Sequence, residues 1–184
     1  MQASRLYRFP LIVLCLILLH GCGQLPERPG RASADPDAAR AAALADQGQY
    51  LAAAALYQQL ALRTLDPASQ IAFILASGEA AAKGGDWDGA RRAAAELDGR
   101  SMSDQQNVRY RLLKGGLLLK EMRPLDALQA LGDSPPANTP TALLIQYHRD
   151  VAQSYRQMGN LLESANALQQ VDRLLTDPAA KLDN

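Results

Sequence analysis

Along residues 37–176 apolar and polar positions alternate with a helical period rather than a strand period. Residues 142–175 show it best. Apolar residues recur at Leu144, Val151, Tyr155 and Met158, then at Leu161, Ala165, Leu168 and Val171. Such spacing lays one apolar stripe on each of two helices, and both stripes must face each other and a neighbour. Gly159 and Asn160 between them predict a tight turn, because both residue types tolerate left-handed backbone. Ala152 and Ser164 are the small residues expected where the two helices approach.

The same pattern returns upstream at a fixed step. Gly48, Gly85, Met122 and Gly159 stand 37 residues apart, as do Ala41, Gly78, Gly115 and Ala152. Ala53, Ala90, Ala127 and Ser164 keep that step, and so do Tyr50, Trp87, Pro124 and Leu161. A period of this length is the signature of a stacked repeat, in which each helix pair buries its apolar face only against the next. Four pairs are expected, over 37–47 and 50–65, 67–83 and 87–97, 104–121 and 124–131, and the two helices of residues 142–175. Pro67 and Pro124 suit the first turn of a helix. Residues 132–140 hold Pro135, Pro136 and Pro140 and predict the longest break. Asp177-Pro178-Ala179 echoes Asp66-Pro67-Ala68, so a further helix is expected from Pro178, with the chain read as the front part of a longer protein.

Gly48-Gln49-Tyr50 with Ala53 and Tyr57, Gly78 with Gly85-Asp86-Trp87 and Ala90, and Ala152 with Tyr155 and Gly159 together resemble the tetratricopeptide pattern. The resemblance implies an all-α, tetratricopeptide-like solenoid of about four helix pairs. The family step is about 34 residues, so the extra residues here are expected in the loops.

Composition agrees with closely packed helices. The chain is 48% apolar but only 5% aromatic, and alanine supplies much of the apolar share. Alanine favours helix, whereas a β-core draws on Val, Ile and Tyr. The formal net charge is zero, which gives no sign of a nucleic-acid binder.

The first residues have a different character. Arg5 and Arg8 precede an apolar run over 9–19, 11 residues long, against the roughly 20 that a membrane-spanning helix needs. The run ends in Leu19-His20-Gly21-Cys22, which resembles the bacterial lipobox. That resemblance implies a lipoprotein signal peptide at 1–21, an acylated Cys22 as mature N-terminus, and a membrane anchor of more than one acyl chain. Multiple chains hold stably where a single chain binds marginally. Gly23 in place of Asp implies the outer membrane, facing the periplasm. Residues 22–36, with Pro26, Pro29, Gly30 and Pro36, read as a flexible tether to a repeat domain at 37–184. Cys15 falls within the leader, so the mature chain has no disulfide to rely on.

Candidate chemistry is sparse. His148 is the one histidine beyond the leader and has no Cys or second His to form a metal site. Asp86 and Asp88 beside Trp87 are explained by helix capping. Gly84-Gly85 and Gly115-Gly116 lack the Lys and Ser of a phosphate loop. Trp87 and Tyr57 read as repeat core. No nucleophile, metal cluster or acid pair converges, so neither an enzyme nor a cofactor is expected.

The order of lipobox, Pro-rich tether, imperfect repeats and the closing run Tyr147-His148-Arg149, Ala152, Tyr155, Gly159, Ser164-Ala165, Leu174-Leu175-Thr176-Asp177-Pro178 resembles the N-terminal domain of LppC/LpoA-type penicillin-binding protein activators. The resemblance implies an outer-membrane lipoprotein that contacts a class A peptidoglycan synthase. A lipidated tetratricopeptide adaptor for β-barrel or pilus assembly is the rival reading. Tetratricopeptide domains bind partners in the groove lined by the first helix of each pair. Projected here, the groove slots hold Asp35, Ala38, Ala42, Ala45 and Asp46, then Ala72, Leu75, Glu79, Ala82 and Lys83, then Arg109, Leu112, Gly116, Leu119 and Lys120, then Gln146, Arg149, Gln153, Arg156 and Gln157. Arg109, Lys120, Arg149 and Arg156 are expected to converge at its C-terminal end with no acid in those slots to pair them, as a site for partner carboxylates.

The leader gives the first testable outcome. Cys22→Ser should release the protein into the soluble periplasmic fraction or leave it uncleaved, read by fractionation and blotting. Normal maturation and outer-membrane retention of the Ser variant would rule the lipid anchor out.

Overall fold

The computed structural model describes residues 35–176. The leader, Cys22, the tether as far as residue 34 and the helix expected from Pro178 lie outside the described residues. Within them are eight α-helices and no strand: α1 (Pro36–Asp46), α2 (Tyr50–Arg63), α3 (Pro67–Lys83), α4 (Trp87–Leu97), α5 (Asp104–Lys120), α6 (Pro124–Leu131), α7 (Thr141–Gln157) and α8 (Leu161–Thr176). The 37-residue step of the sequence is also the step of the helices. The odd-numbered helices end at Asp46, Lys83, Lys120 and Gln157, and the even-numbered ones begin at Tyr50, Trp87, Pro124 and Leu161.

One turn, made four times, keeps this register. Its central residues Gly48, Gly85, Met122 and Gly159 have φ of 75, 82, 59 and 81°. The next amide reaches five residues back: Gln49 donates to Leu44, Asp86 to Ala81, Arg123 to Leu118 and Asn160 to Tyr155, each at 2.9 Å. The central amides donate to Ala45, Ala82, Leu119 and Arg156. Together these bonds form a Schellman motif, which satisfies carbonyls the helix end leaves orphaned. The following helix starts at once, because the carbonyls of Gln49, Asp86, Arg123 and Asn160 accept from Ala53, Ala90, Ala127 and Ser164.

So short a turn forces the paired helices close together. The small residues of the repeat stand where they meet. Ala41, Ala53, Ala90 and Ala127 have no exposed surface, and Ala152 and Ser164 are buried. Gly78 shows how tight the fit is. A Cβ there would lie 2.8 Å from the Ala93 Cβ on α4 and 2.8 Å from a Leu113 methyl on α5, inside van der Waals contact. Each helix packs on the next in sequence, and α3 also meets α5 as α5 meets α7. The core is therefore a row of clusters. One joins Ala54, Ala81 and Ala94 to Leu113 and Leu117, another Ile71, Ile74 and Leu75 to Leu97, and a third Val108, Leu112 and Leu131 to Tyr147.

Several expectations need correction. Helix α1 begins at Pro36, one residue ahead of the expected Asp37, behind the cap Asp35, whose carboxylate accepts from the Asp37 amide at 2.9 Å. Helix α2 stops at Arg63, and Thr64 is extended. The backbone straightens ahead of Pro67, since a proline disfavours helix in the residue before it. Arg63 then folds back onto Asp35 and Asp37, at 2.8 Å from each. The expected stripe on α8 is rotated. Ser164, Ala167 and Val171 face inward, while Leu161, Leu168 and the neighbouring Leu162 are exposed. Close approach to α7 admits the small Ser164 and turns the large leucines away.

Met122 carries the one left-handed non-glycine conformation among the described residues, and its side chain is 69% exposed. That conformation costs an L-residue roughly 1–2 kcal/mol, and little packing is lost on truncation. Met122→Gly should therefore raise stability by about 1 kcal/mol, after allowing for the greater chain entropy of glycine. Urea unfolding should show the midpoint move up with an unchanged slope. A lower midpoint would mean that the turn does not set the register of the third pair.

Candidate functional site

Because α3 packs beside α5 and α5 beside α7, one face of these three helices forms a common wall. A cleft of about 390 Å³ opens there between Glu79, Ala82 and Lys83 of α3, Arg109, Leu112 and Gly116 of α5, and Leu143 and Gln146 of α7. It continues along α7 past Asp150, Gln153 and Gln157, with Leu119 and Lys120 of α5 also lining it. Trp87 and Gly116 line both parts. Most of the projected groove slots lie on this wall. Leu75 does not: it is fully buried in the core beside Leu97.

Three of the four cations expected to act together have partners within the chain. Arg109 is not unpaired. Its Nε and Nη2 donate to both carboxylate oxygens of Glu79 at 2.8 and 2.6 Å, in a bidentate fork that also neutralises it. The slot projection aligned Glu79 with Gly116, 37 residues on, but α3 and α5 pack so that it reaches Arg109 instead. Lys120 lies over the Trp87 ring, 5.1 Å from its centroid, within reach of the negative ring face. Arg156 donates to the amide oxygen of Gln153. Arg149 is exposed on the same helix. Trp87 itself is part core and part cleft wall: it packs against the Ala90 cluster while half-exposed.

Two groups that do matter at this end carry acceptors rather than positive charge. Asp150 Oδ2 and Gln157 Oε1 are both shut off from solvent without a hydrogen-bond donor. Gln157 is positioned by its Nε2, which donates to the Leu119 carbonyl at 3.1 Å and ties α7 to α5. Burial pushes the Asp150 carboxyl up from 3.8 to about 7, against a hydrogen bond from Gln146 that favours the charged form. Gln157 stood among the projected slots, but Asp150 was passed over. Its signal was the spacing Gln146, Asp150, Gln153, Gln157, which places all four on one helix face.

Gly116 gives the cleft its floor. It lies inside helix α5, where glycine costs about 1 kcal/mol relative to alanine. Packing does not demand it, since no heavy atom comes within 4 Å of where its Cβ would stand. His148 stands edge-on to Tyr147 at 5.2 Å, and burial lowers its pKa. It is not among the residues lining the cleft.

Comparison with protein-family profiles, curated proteins and solved structures finds no significant match for this chain.

The Asp150 carboxyl makes stability depend on pH with a definite sign. Its folded pKa is raised, so its contribution is fully present below about pH 4 and is lost as pH rises through about 7. Asp150→Asn keeps the shape without the charge. It should be more stable than the parent by about 1–3 kcal/mol near neutral pH and above, and nearly equal below about pH 4. Denaturant titrations at the two pH values check this, and an Asn variant less stable at the higher pH would contradict it.

Proposed function

We propose that this chain is a lipid-anchored helical-repeat adaptor that docks a partner protein in the cleft along α3, α5 and α7. The observation that carries the reading is the alignment of one cleft with the same face of three successive odd-numbered helices. A repeat that keeps its register offers a partner segment a continuous wall rather than an isolated pocket. The four identical turns and the small residues between paired helices support a tetratricopeptide-like solenoid as its architecture. The lipobox ending in Cys22 supports anchorage at the outer membrane, with the tether setting the distance to the repeats. The resemblance to LppC/LpoA-type activators supports a class A penicillin-binding protein as the partner. The adaptor would then regulate peptidoglycan synthesis through contact rather than catalysis.

The open space at Gly116 suits a test in the living periplasm. A photo-activated cross-linking residue at Gly116 of the full-length lipoprotein should capture a class A peptidoglycan synthase, identified by mass spectrometry. The same probe at Leu125, 70% exposed on α6, should not. Capture only of β-barrel or pilus assembly proteins from Gly116, or equal capture of the synthase from both positions, would refute the reading.

A further inference from the structure

The last described helix leaves one face without a neighbour among the described residues. On α8, Leu161, Leu168 and Leu175 are 70, 46 and 51% exposed. They recur every seven residues, close to two helical turns, and so form one stripe. In each earlier pair the residue in step with Leu168 packs against the helix that follows. Tyr57 stacks on Phe73 of α3 with ring centroids 6.4 Å apart. Ala94 shares a cluster with Leu113 and Leu117 of α5, and Leu131 shares one with Tyr147 of α7.

The covering helices share a start. Helices α3, α5 and α7 begin at Pro67, Asp104 and Thr141, each 37 residues after the last, and one more step reaches Pro178. Asp66 and Ser103 cap α3 and α5 by accepting from the amides of Ser69 and Gln106, and Asp177 stands in step with both. Ile71 and Val108 are buried at the fifth position of α3 and α5, and Ile145 is half-buried at that of α7. Leu182 is the next residue of that series. The seam also carries a charge match. Gln70 of α3 donates its side-chain amide to the Ala61 carbonyl of α2 at 3.3 Å. Three steps on, those two positions are Lys181 and Asp172, and Asp172 is exposed on α8.

We propose that the segment beginning at Asp177 closes this face, running back antiparallel along α8 as the first helix of a fifth repeat, with Leu182 on the C-terminal part of the leucine stripe and Lys181 beside Asp172. Asp177 supplies the cap, and Pro178 suits the first turn. Leu182 carries most of the binding, because an exposed ion pair contributes little, while Lys181 and Asp172 fix the register. Asn184 stands in the slot of Phe73, Tyr110 and Tyr147, so the apolar contact made by this segment falls to Leu182. As α5 lies beside α3 and α7 beside α5, the added helix lies beside α7 and lengthens the wall of the cleft. A second copy packed α8 to α8 would also cover the leucines, but it would draw on neither Lys181 nor Leu182. The inference concerns α8 and holds whatever the cleft binds.

The full chain carrying Cys22→Ser, which keeps acyl chains off, suits the test. Leu182→Asp should lower the urea midpoint and speed hydrogen exchange at the amides of 181–184 several-fold. Asp172→Lys and Lys181→Asp should each lower the midpoint. The two together should restore it, because the ion pair is rebuilt with its ends exchanged. This swapped pair decides the matter should Leu182→Asp fail to fold. Midpoint and exchange both unchanged in Leu182→Asp, or a swapped pair no more stable than its single variants, would overturn the assignment. So would a dimer in sedimentation that Leu168→Asp dissociates and Leu182→Asp leaves intact, since a second copy would then be the occupant.

Discussion

The separation between paired helices governs this structure. A three-residue connection that closes with a Schellman motif leaves no slack between the end of one helix and the start of the next. Side chains at the crossing must then be absent or reduced to a methyl or hydroxymethyl group. Gly78, Gly115, Ala53, Ala90, Ala127 and Ser164 meet that demand. Close packing then supplies the dispersion contacts that large aromatic residues provide in other cores. The low aromatic content is a consequence of this geometry rather than a deficit. The third pair shows how strong the constraint is, because Met122 accepts left-handed backbone to complete the turn.

That constraint also builds the cleft. With all turns alike, α3, α5 and α7 are carried side by side and present equivalent faces to one wall. The wall is then differentiated residue by residue. Glu79 and Arg109 fasten α3 to α5, and Gln157 fastens α5 to α7 through the Leu119 carbonyl. Between these ties Gly116 keeps the floor open, and Asp150 keeps a carboxylate where burial opposes its charge. Both features lower stability, and they adjoin each other.

The outer face of α8 is built from the same logic. Leu161, Leu168 and Leu175 lie one above another at intervals of seven residues and are exposed. In the earlier pairs the residues in step with Leu168 are Tyr57, Ala94 and Leu131, which pack against the helix that follows, α3, α5 and α7. The exposed leucines therefore occupy the stacking face of the repeat and not a separate patch.

The helices, their pairing and their step follow from local signals along the chain. Helix ends are local events: a three-residue connection with glycine at its centre, a proline at the first turn and a recurring small residue act within a few positions of themselves. Their 37-residue register was legible without any distance information, but the inward face of α7 was not: Tyr147, Ala152 and Ser154 are buried there, and Leu144, Val151, Tyr155 and Met158 are only half-buried. Which partners the helix faces meet depends on how the helices stack. Glu79 closes on Arg109, thirty residues on, rather than on Gly116, which stands in step with it, and no periodicity records that pairing. The same holds for α8, where the separation from α7 outweighed the size of its leucines. It holds also for Asp150, whose burial is imposed by neighbouring helices and whose missing donor is a property of the space around it. Periodicity names the face of a helix, but charge pairing and desolvation depend on distances across faces, and those are set only when the helices stack.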